Sequence, residues 1–255
     1  GWKDGAATLR LIDKTVSANK DFEMTWTPKQ GVVPASALFT ETIKGETFYL
    51  SMILPPRPDI RAVPPRDIVF VLDKSGSMAG KSIKQARKAL HFALDRLRPA
   101  DRFNIIRFSN VTDQLFNSVR PANQFSLAHA KQYVTSTRAD GGTEIRPALL
   151  HALKGADLPN RLRQVVFLTD GAISNEDQLF KDIEQNIWAT RLYTVGIGSA
   201  PNNHFMRRAA EIGRGSFTYI ANLNNVAEKI GRLFLKIERP AMIDLAADWA
   251  GMSDD

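Results

Sequence analysis

The sequence predicts an α/β fold: a doubly wound, mainly parallel sheet flanked by helices, with a small antiparallel β-rich appendage before it. From residue 67 onward, short apolar runs alternate with segments that carry apolar residues at helical spacing. This alternation is typical of parallel strands joined by right-handed helical crossovers. Before residue 60, short runs rich in Thr, Phe, Trp and Ile alternate in polarity between turn residues, which favours antiparallel strands.

Proline marks the boundary between these two parts. Pro55, Pro56 and Pro58 are followed by Pro64 and Pro65, and a stretch of this composition forms a stiff linker. Residues 242–249 alternate in polarity again and predict a strand that returns to the amino-terminal β module. The expected organisation is a β-rich segment, a linker, an α/β domain and a carboxyl-terminal strand segment, over residues 1–60, 61–66, 67–237 and 238–255.

Each element is predicted from its own pattern. The segment after the first buried strand, for example, carries Ile83, Ala86 and Leu90 on one face, and Pro99 is expected to stop it. Strands are predicted over 7–12, 21–27, 37–43, 46–54, 68–72, 102–108, 111–116, 164–169, 192–197 and 216–221. Helices are predicted over 81–98, 123–136, 145–156, 176–189, 201–212 and 225–237. Large aromatic residues expected in the core are Phe103, Phe108, Phe167 and Trp188.

The strand over 68–72 ends in a set of oxygen-bearing side chains. Asp73 follows the apolar run directly, and Ser75 and Ser77 come at alternate positions after it. In an extended chain every second side chain points the same way, so these three groups can converge, and Gly76 lets the backbone bend around them. A carboxylate with hydroxyl oxygens suits a hard cation, above all Mg²⁺.

A second carboxylate is expected at the same edge of the sheet. Asp170 ends the buried run over 164–169, and the ends of parallel strands share one edge, where ligands of open α/β sheets bind. The loop of Gly141, Gly142 and Thr143 can reach this edge because two glycines permit close backbone approach. If Asp73 and Asp170 both bound one Mg²⁺ directly, their charges would neutralise it. If Asp170 bound through a water molecule instead, the metal would keep a positive charge and attract a carboxylate from another molecule.

Composition narrows the choice of function. The 255 residues are 44% hydrophobic, enough for a sizeable core, and no apolar run reaches the length of a membrane span. The net charge of +7 is distributed along the chain rather than concentrated in one basic block, so nucleic-acid binding is not expected. A basic surface does favour an acidic protein partner. The absence of cysteine excludes disulfides and thiolate chemistry. Because the sequence begins with Gly1, we expect it to be a piece of a longer protein.

The motifs Asp73-Lys74-Ser75-Gly76-Ser77, Gly142-Thr143 and Thr169-Asp170-Gly171 resemble the metal-ion-dependent adhesion site of the von Willebrand factor A domain family. The resemblance covers roughly residues 67–237. It implies that Asp73, Ser75 and Ser77 are direct ligands of Mg²⁺, with Mn²⁺ or Ca²⁺ possible. Thr143 and Asp170 would exchange between direct and water-mediated contact, and the helix over 225–237 would be the element that moves. The expected rim of the site is Lys74, Gly142, Glu144 and Gly171.

By the same resemblance, the expected function is non-enzymatic adhesion, in which a protein partner supplies an Asp or Glu carboxylate to the metal. The flanks resemble inter-alpha-trypsin inhibitor heavy chains and sortase-displayed bacterial surface proteins, in which a β-rich VIT domain precedes the A domain. Residues 21–26 resemble a strand near the end of VIT, so the segment 1–60 would hold only its final part. The resemblance implies a location at the cell surface or in secreted form, in a bacterium.

Two alternatives stay open. Residues 75–82 follow a strand, open a helix and end in Gly80-Lys81-Ser82, so they miss the phosphate-binding loop of nucleotide hydrolases only by having Ser75 in place of its first glycine. The P-loop hypothesis does not explain why Asp73, Ser75 and Ser77 stand at alternate positions. The other alternative is a structural scaffold without metal, in which the aspartates cap helices. The four histidines have no metal-ligand spacing and are expected to be structural.

Overall fold

The computed structural model describes residues 2–3, 6–7, 35–54, 64–155, 160–170, 175–198 and 201–238. The chain divides into two compact units, Gly1–Arg57 and Pro58–Asp255. Of the predicted strands, those over 21–27 and 242–249 and most of the one over 7–12 lie outside the described residues, as do residues 61–63 of the linker.

The amino-terminal unit contains antiparallel strands, as predicted. The short strands β1 (Trp2–Lys3) and β2 (Ala6–Ala7) pair with each other. Strands β3 (Ala35–Ile43) and β4 (Glu46–Leu54) form a hairpin in which Ile43 faces Glu46. The two residues of its turn, Lys44 and Gly45, both have positive φ, 50° and 88°. This is the geometry of a type I′ turn, whose twist matches that of the flanking strands.

The larger unit is built on a seven-stranded sheet in the order β11-β10-β9-β5-β6-β7, with β8 pairing beside β6. The strands from β11 to β6 are parallel, and β7 and β8 are antiparallel to β6. The strands are β5 (Arg66–Asp73), β6 (Arg102–Phe108), β7 (Thr112–Gln114), β8 (Arg120–Pro121), β9 (Leu162–Thr169), β10 (Arg191–Ile197) and β11 (Phe217–Ile220). The helices are α1 (Lys81–Asp95), α2 (Gln124–Ser136), α3 (Ile145–Leu153), α4 (Glu176–Asn186), α5 (Asn203–Ile212) and α6 (Val226–Ile237). The doubly wound fold class is confirmed.

Helices cover both faces of this sheet, which explains why the central strand carries no polar alternation. Along β5, Ile68, Phe70 and Leu72 belong to the core cluster that includes residues of α1, α2 and α6. Val69 and Val71 belong to the opposite cluster, with residues of α3, α4 and α5. A strand buried on both faces must be apolar at every position, as these residues are.

Three differences from the sequence-based prediction have local causes. Helix α1 ends at Asp95 rather than at residue 98, because Arg96 and Leu97 make tighter turns back to Ala93 and Leu94. The short strand β8 has no apolar pattern and was not predicted. Trp188 was predicted to lie in the core, and this was wrong: its side chain is 74% exposed in the loop between α4 and β10, where the backbone turns with φ of 39°.

The other aromatic predictions are confirmed, since Phe103, Phe108 and Phe167 are at most 2% exposed. On α1 the basic residues Lys81, Lys84 and Lys88 are exposed on the face opposite the apolar stripe, as expected of a solvated face. In the described part of the chain, none of the helices combines the length and the apolar composition needed to cross a membrane.

Candidate functional site

The candidate site lies at the carboxyl edge of the sheet, where strand order reverses. From β5 the chain moves to β6 on one side, whereas β9, β10 and β11 lie on the other side. A crevice at such a reversal is the usual ligand site of an open α/β sheet. Asp73 is the last residue of β5, and Asp170 directly follows β9. Both predicted carboxylates therefore lie at the crevice.

Asp73 is held firmly in the buried base of the site. Its side chain has no exposed surface. The Oδ1 atom accepts a hydrogen bond from the backbone N–H of Ser75 over 2.8 Å, and Oδ2 accepts one from the hydroxyl of Thr169 over 2.5 Å. Burial raises the pKa of Asp73; the bonds from Ser75 and Thr169 act against this rise, and the neighbouring charge of Asp170 adds to it.

A chain of hydroxyl groups joins the two carboxylates' loops. The Oγ atoms of Ser75 and Ser77 are 3.1 Å apart, and the hydroxyl of Ser77 donates to Oδ1 of Asp170 over 2.9 Å. With metal–oxygen distances of 2.0–2.1 Å, neighbouring ligands of an octahedral Mg²⁺ are about 2.9 Å apart. The spacing of these oxygens therefore matches both a hydrogen-bonded chain and one edge of a magnesium shell.

The loop before α3 is held against the first loop by backbone hydrogen bonds. Gly76 donates to the carbonyl of Gly141 over 2.8 Å, and Asp140 donates to the carbonyl of Lys74 over 2.7 Å. A Cβ atom on Gly76 would lie 3.2 Å from the Gly141 oxygen, and Gly141 has φ of 81°. Glycine is favoured at position 76 by this close approach of the loops, and at position 141 by the positive φ.

Thr143 is held at the same edge by its neighbours. Gly142 donates to Oδ1 of Asn110, and Glu144 donates to the carbonyl of Ser109 over 2.8 Å. Thr143 is half-buried. Among the described contacts its hydroxyl makes no hydrogen bond with the carboxylates or the serine hydroxyls. The structure thus brings four of the five predicted ligands into one hydrogen-bonded group and places the fifth on the adjoining loop.

The residues of the predicted rim differ in their surroundings. The ammonium of Lys74 donates to the hydroxyl of Ser109 over 3.1 Å, and Gly142 and Glu144 are exposed. Gly171 lies outside the described residues. Lys74 therefore ties the first loop to the end of β6, rather than standing free at the mouth of the site.

From the sequence, Thr169 was named only within a motif and Ser109 and Asn110 were not named, although all three support the site. Thr169 is the last residue of β9, and Ser109 and Asn110 directly follow β6. Their position at the carboxyl ends of buried strands is the signal that could have found them, because those ends share the edge where Asp73 lies.

The loop after β5 does not present its amide groups as a phosphate cradle. Four of its backbone N–H groups already donate within the protein: Ser75 to Asp73, Gly76 to Gly141, Met78 to Ser75 and Ala79 to Gly76. In a P-loop the backbone N–H groups point at the phosphates. The geometry therefore weighs against nucleotide binding in this loop.

The carboxylate and hydroxyl oxygens of the site are suitable ligands for a hard cation. The surroundings of Asp73 show whether a cation would be favoured there. Four aspartates are buried in the described part of the chain, and Asp67, Asp101 and Asp182 each form a salt bridge with arginine. In that part of the chain Asp73 has no Lys or Arg partner. Buried charges are normally paired or bound to metal, so Asp73 has the surroundings of a metal ligand. No described group contains three or more His, Cys, Asp or Glu suited to a metal, so hydroxyl ligands would be required here.

Comparison with known proteins agrees with this fold. A family model of the von Willebrand factor type A domain matches residues 66–219, which is more than half of the chain. A von Willebrand factor A domain-containing protein of Dictyostelium discoideum is 31% identical over 189 residues, covering 74% of this chain and 20% of that protein. Inter-alpha-trypsin inhibitor heavy chain H4 of Bos taurus is 29% identical over 205 residues, covering 75% of this chain and 22% of that protein. The chain thus spans about a fifth of the length of these relatives.

Solved structures show the same fold. The von Willebrand factor type A protein from Catenulispora acidiphila aligns with a TM-score of 0.61 at 22% identity, over 80% of this chain and 45% of that one. The pilus adhesin SpaC of Lactobacillus rhamnosus GG aligns with a TM-score of 0.56 at 13% identity, over 78% of this chain and 34% of that one. At these identities the likeness concerns the fold alone. Together with the family match, it shows that the chain belongs to the von Willebrand factor type A domain family.

Proposed function

We propose that this chain is a metal-dependent protein-interaction domain that binds a carboxylate of its partner. Asp73, Ser75 and Ser77 would hold a divalent cation, Mg²⁺ first and Mn²⁺ or Ca²⁺ as substitutes, with Thr143 and Asp170 completing the site. When bound, the cation would supply an open coordination position for an Asp or Glu side chain of another protein. Family membership and the hydrogen-bonded oxygen cluster support this proposal.

One observation carries it: the carboxylate of Asp73 is fully buried and has no cationic partner in the described part of the chain. Leaving such a charge uncompensated is costly, and its raised pKa reflects that cost. A divalent cation would compensate the charge without any change in the fold. The bonds from Ser75 and Thr169 hold the carboxylate in one orientation, ready for a ligand.

The neutral hydroxyl groups matter for the partner's chemistry. Ser75 and Ser77 would provide neutral oxygen ligands. A divalent cation bound directly to only one carboxylate would therefore keep a net positive charge. That charge would favour an anionic partner, as does the net charge of +7 on the whole chain.

We propose further that the domain is not an enzyme, and that the parent protein acts at a cell surface or after secretion. A bacterial source and a VIT-type origin for the amino-terminal segment stay predictions.

The rival function, nucleotide hydrolysis through residues 75–82, is weakened by the amide contacts described above. A calorimetric titration with Mg·ATP tests it, and we expect no saturable heat.

The test of the proposed function is calorimetric titration of the chain with Mg²⁺ and with Mn²⁺, before and after treatment with EDTA. We expect one saturable site per chain in the wild type and none in Asp73→Asn. Proton relaxation of water around bound Mn²⁺ then reports open coordination positions, and acetate should reduce the signal as a model carboxylate. Absence of metal binding, or binding unchanged in the variant, would contradict the proposal and favour the scaffold alternative.

A further inference from the structure

A cavity of about 280 Å³ lies at the amino ends of β5, β6 and β9, the edge of the sheet opposite the candidate metal site. Its apolar lining comes from Val69, Ile106 and Val119. Among the residues that the structure describes, the lining also includes three cationic side chains, Arg102, Lys154 and Arg163, and one carboxylate, Asp67. This cavity shares no residue with the candidate metal site.

The carboxylate of Asp67 is already neutralised by two arginines. Arg102 donates through Nε to Oδ1 of Asp67 over 2.8 Å and through Nη2 to Oδ2, and Arg161 donates through Nε to the same Oδ1 over 2.8 Å. Burial acts to raise the pKa of Asp67, but these two arginines outweigh it and lower the pKa. Among the described lining residues, an anion that enters the cavity therefore meets no uncompensated carboxylate.

Arg163 is fixed in place on the cavity wall. Its Nη2 atom donates to the carbonyls of Ala152 and Lys154 over 2.9 and 2.8 Å, which offsets the partial negative charge at the end of α3. Gly155 makes this position possible, since a Cβ atom there would lie 2.3 Å from Cζ of Arg163. The guanidinium is thus ordered before any ligand arrives, which reduces the entropy lost on binding.

Lys154 supplies the adaptable cation. It is exposed at the end of α3, and it has no ion-pair partner in the described part of the chain. Beside it, Asn117, Ser118 and Gln114 line the cavity with amide and hydroxyl groups that can bind neutral polar atoms, although Oε1 of Gln114 already lies 2.8 Å from Nε2 of His151, another lining residue. The cavity is close to the lower end of the size range of small-molecule sites, roughly 300 Å³.

We propose that this cavity binds a small organic oxyanion, a phosphate or carboxylate carried on a molecule of about the size of a monosaccharide. The anionic group lies beside Lys154 and Arg163, and hydroxyl groups of the ligand contact Asn117, Ser118 and Gln114. Lys and Arg are the usual partners of such oxyanions, through charge-assisted hydrogen bonds. The apolar residues Val69 and Ile106 exclude water beneath the ligand.

The experiment is an amide-resolved NMR titration of the full 255-residue chain with three probes: glucose 6-phosphate, inorganic phosphate and glucose. All are added at constant ionic strength. We expect saturable shifts at the amides of Asn117, Ser118, Lys154 and Gly155, tightest for glucose 6-phosphate, weaker for phosphate and absent for glucose. Lys154→Gln should weaken binding about tenfold, the typical effect of losing one charge-assisted bond. Lys181→Gln, which removes an exposed lysine on α4, should change nothing.

Several results would overturn the proposal. These are shifts that grow linearly without saturation, equal affinity in Lys154→Gln and wild type, equal binding of glucose, or shifts located outside the cavity. Effects of similar size from Lys154→Gln and Lys181→Gln would point to general attraction of anions, or of an acidic protein surface, by a basic chain. The site should also persist in Asp73→Asn, because the two sites lie at opposite edges of the sheet.

Discussion

The hydroxyl of Ser77 donates to Oδ1 of Asp170 over 2.9 Å, although 93 residues separate them in the chain. One lies in the loop after β5 and the other directly after β9, so this contact exists only because the two strands are neighbours in the sheet. It joins the two loops that carry carboxylates. This group of oxygens would determine metal binding, and the residues at the opposite edge of the sheet contribute to stability.

Asp73→Asn should abolish divalent-metal binding and leave the fold intact. Asparagine keeps the shape of the side chain but removes a buried charge that lacks a cationic partner, so the metal-free variant should be at least as stable as the wild type. Metal at 100 times its dissociation constant should stabilise the wild type by about 2.7 kcal/mol and the variant by nothing. Urea unfolding with and without Mg²⁺ measures both effects. Asp95→Asn, at an exposed pair with Lys131, is the matched control and should keep the metal effect.

Thr143→Ala should weaken metal binding, and Thr143→Ser should restore it, because the hydroxyl oxygen and not the methyl group is the proposed ligand. Removing such a group near a metal typically weakens affinity by about 10–100-fold. Calorimetric titration with Mn²⁺ compares the two variants with the wild type. If alanine and serine behave alike, Thr143 has no part in the site, and the loop before α3 serves only to shape it.

Gly142→Ala should also weaken metal binding, but through the position of the loop. A Cβ atom on Gly142 would lie 2.6 Å from Oδ1 of Asn110, the atom that accepts its backbone hydrogen bond. Either the Asn110 side chain turns away and loses this hydrogen bond, or the loop shifts, and both remove support from the loop that carries Thr143. Gly231→Ala is the control, since a Cβ atom there meets nothing within 4 Å. In the interior of α6 it should raise the free energy of unfolding by about 1 kcal/mol and leave metal affinity unchanged.

The buried pair of Arg66 and Asp101 should dominate stability at the opposite edge. Neither side chain is exposed, and Nη2 of Arg66 lies 2.5 Å from Oδ2 of Asp101. Asp101→Asn leaves the buried guanidinium short of a partner and should lower the free energy of unfolding by about 3–5 kcal/mol. Urea denaturation at pH 7 measures this. A loss below 1 kcal/mol would mean that the pair is solvated in the folded protein.

The same pair predicts an acid-dependent loss of stability. Burial alone would raise the pKa of Asp101, but bonds from Arg66 and Arg98 lower it from 3.8 to about 2. Between these values the unfolded chain binds the extra proton, so stability falls as pH falls from about 4 to about 2. The carboxylate's contribution above this window is about 2 kcal/mol. The stability difference between wild type and Asp101→Asn should therefore shrink by about that amount between pH 5 and pH 2.

The elements whose pattern repeats locally could be predicted from the sequence. The strand β5 is apolar at each position from Ile68 to Leu72 because both faces are buried, and α6 carries its apolar stripe at helical spacing. The positions of Asp73 and Asp170 followed from the same logic, since each ends a buried strand. The oxygen cluster was thus foreseeable once a parallel sheet was inferred.

What could not be predicted depends on contacts between distant loops. The strand ends could have located Asn110 and Thr169 at this edge, but not their hydrogen bonds: Oδ1 of Asn110 accepts from the backbone N–H of Gly142, and the hydroxyl of Thr169 donates to Asp73. Trp188 was assigned to the core because tryptophan is usually buried, whereas the chain turns at this residue and exposes the ring. A turn of this kind leaves no periodic signal in the sequence.

The most direct measurement is a crystal structure of the chain grown with Mn²⁺, with the ion located by its anomalous scattering. We expect one peak at the carboxyl edge of β5, bound to Asp73, Ser75 and Ser77, with Thr143 and Asp170 in direct or water-mediated contact and one position open. A map without a peak there, or a peak that leaves Thr143 and Asp170 out of the shell, would contradict the proposal.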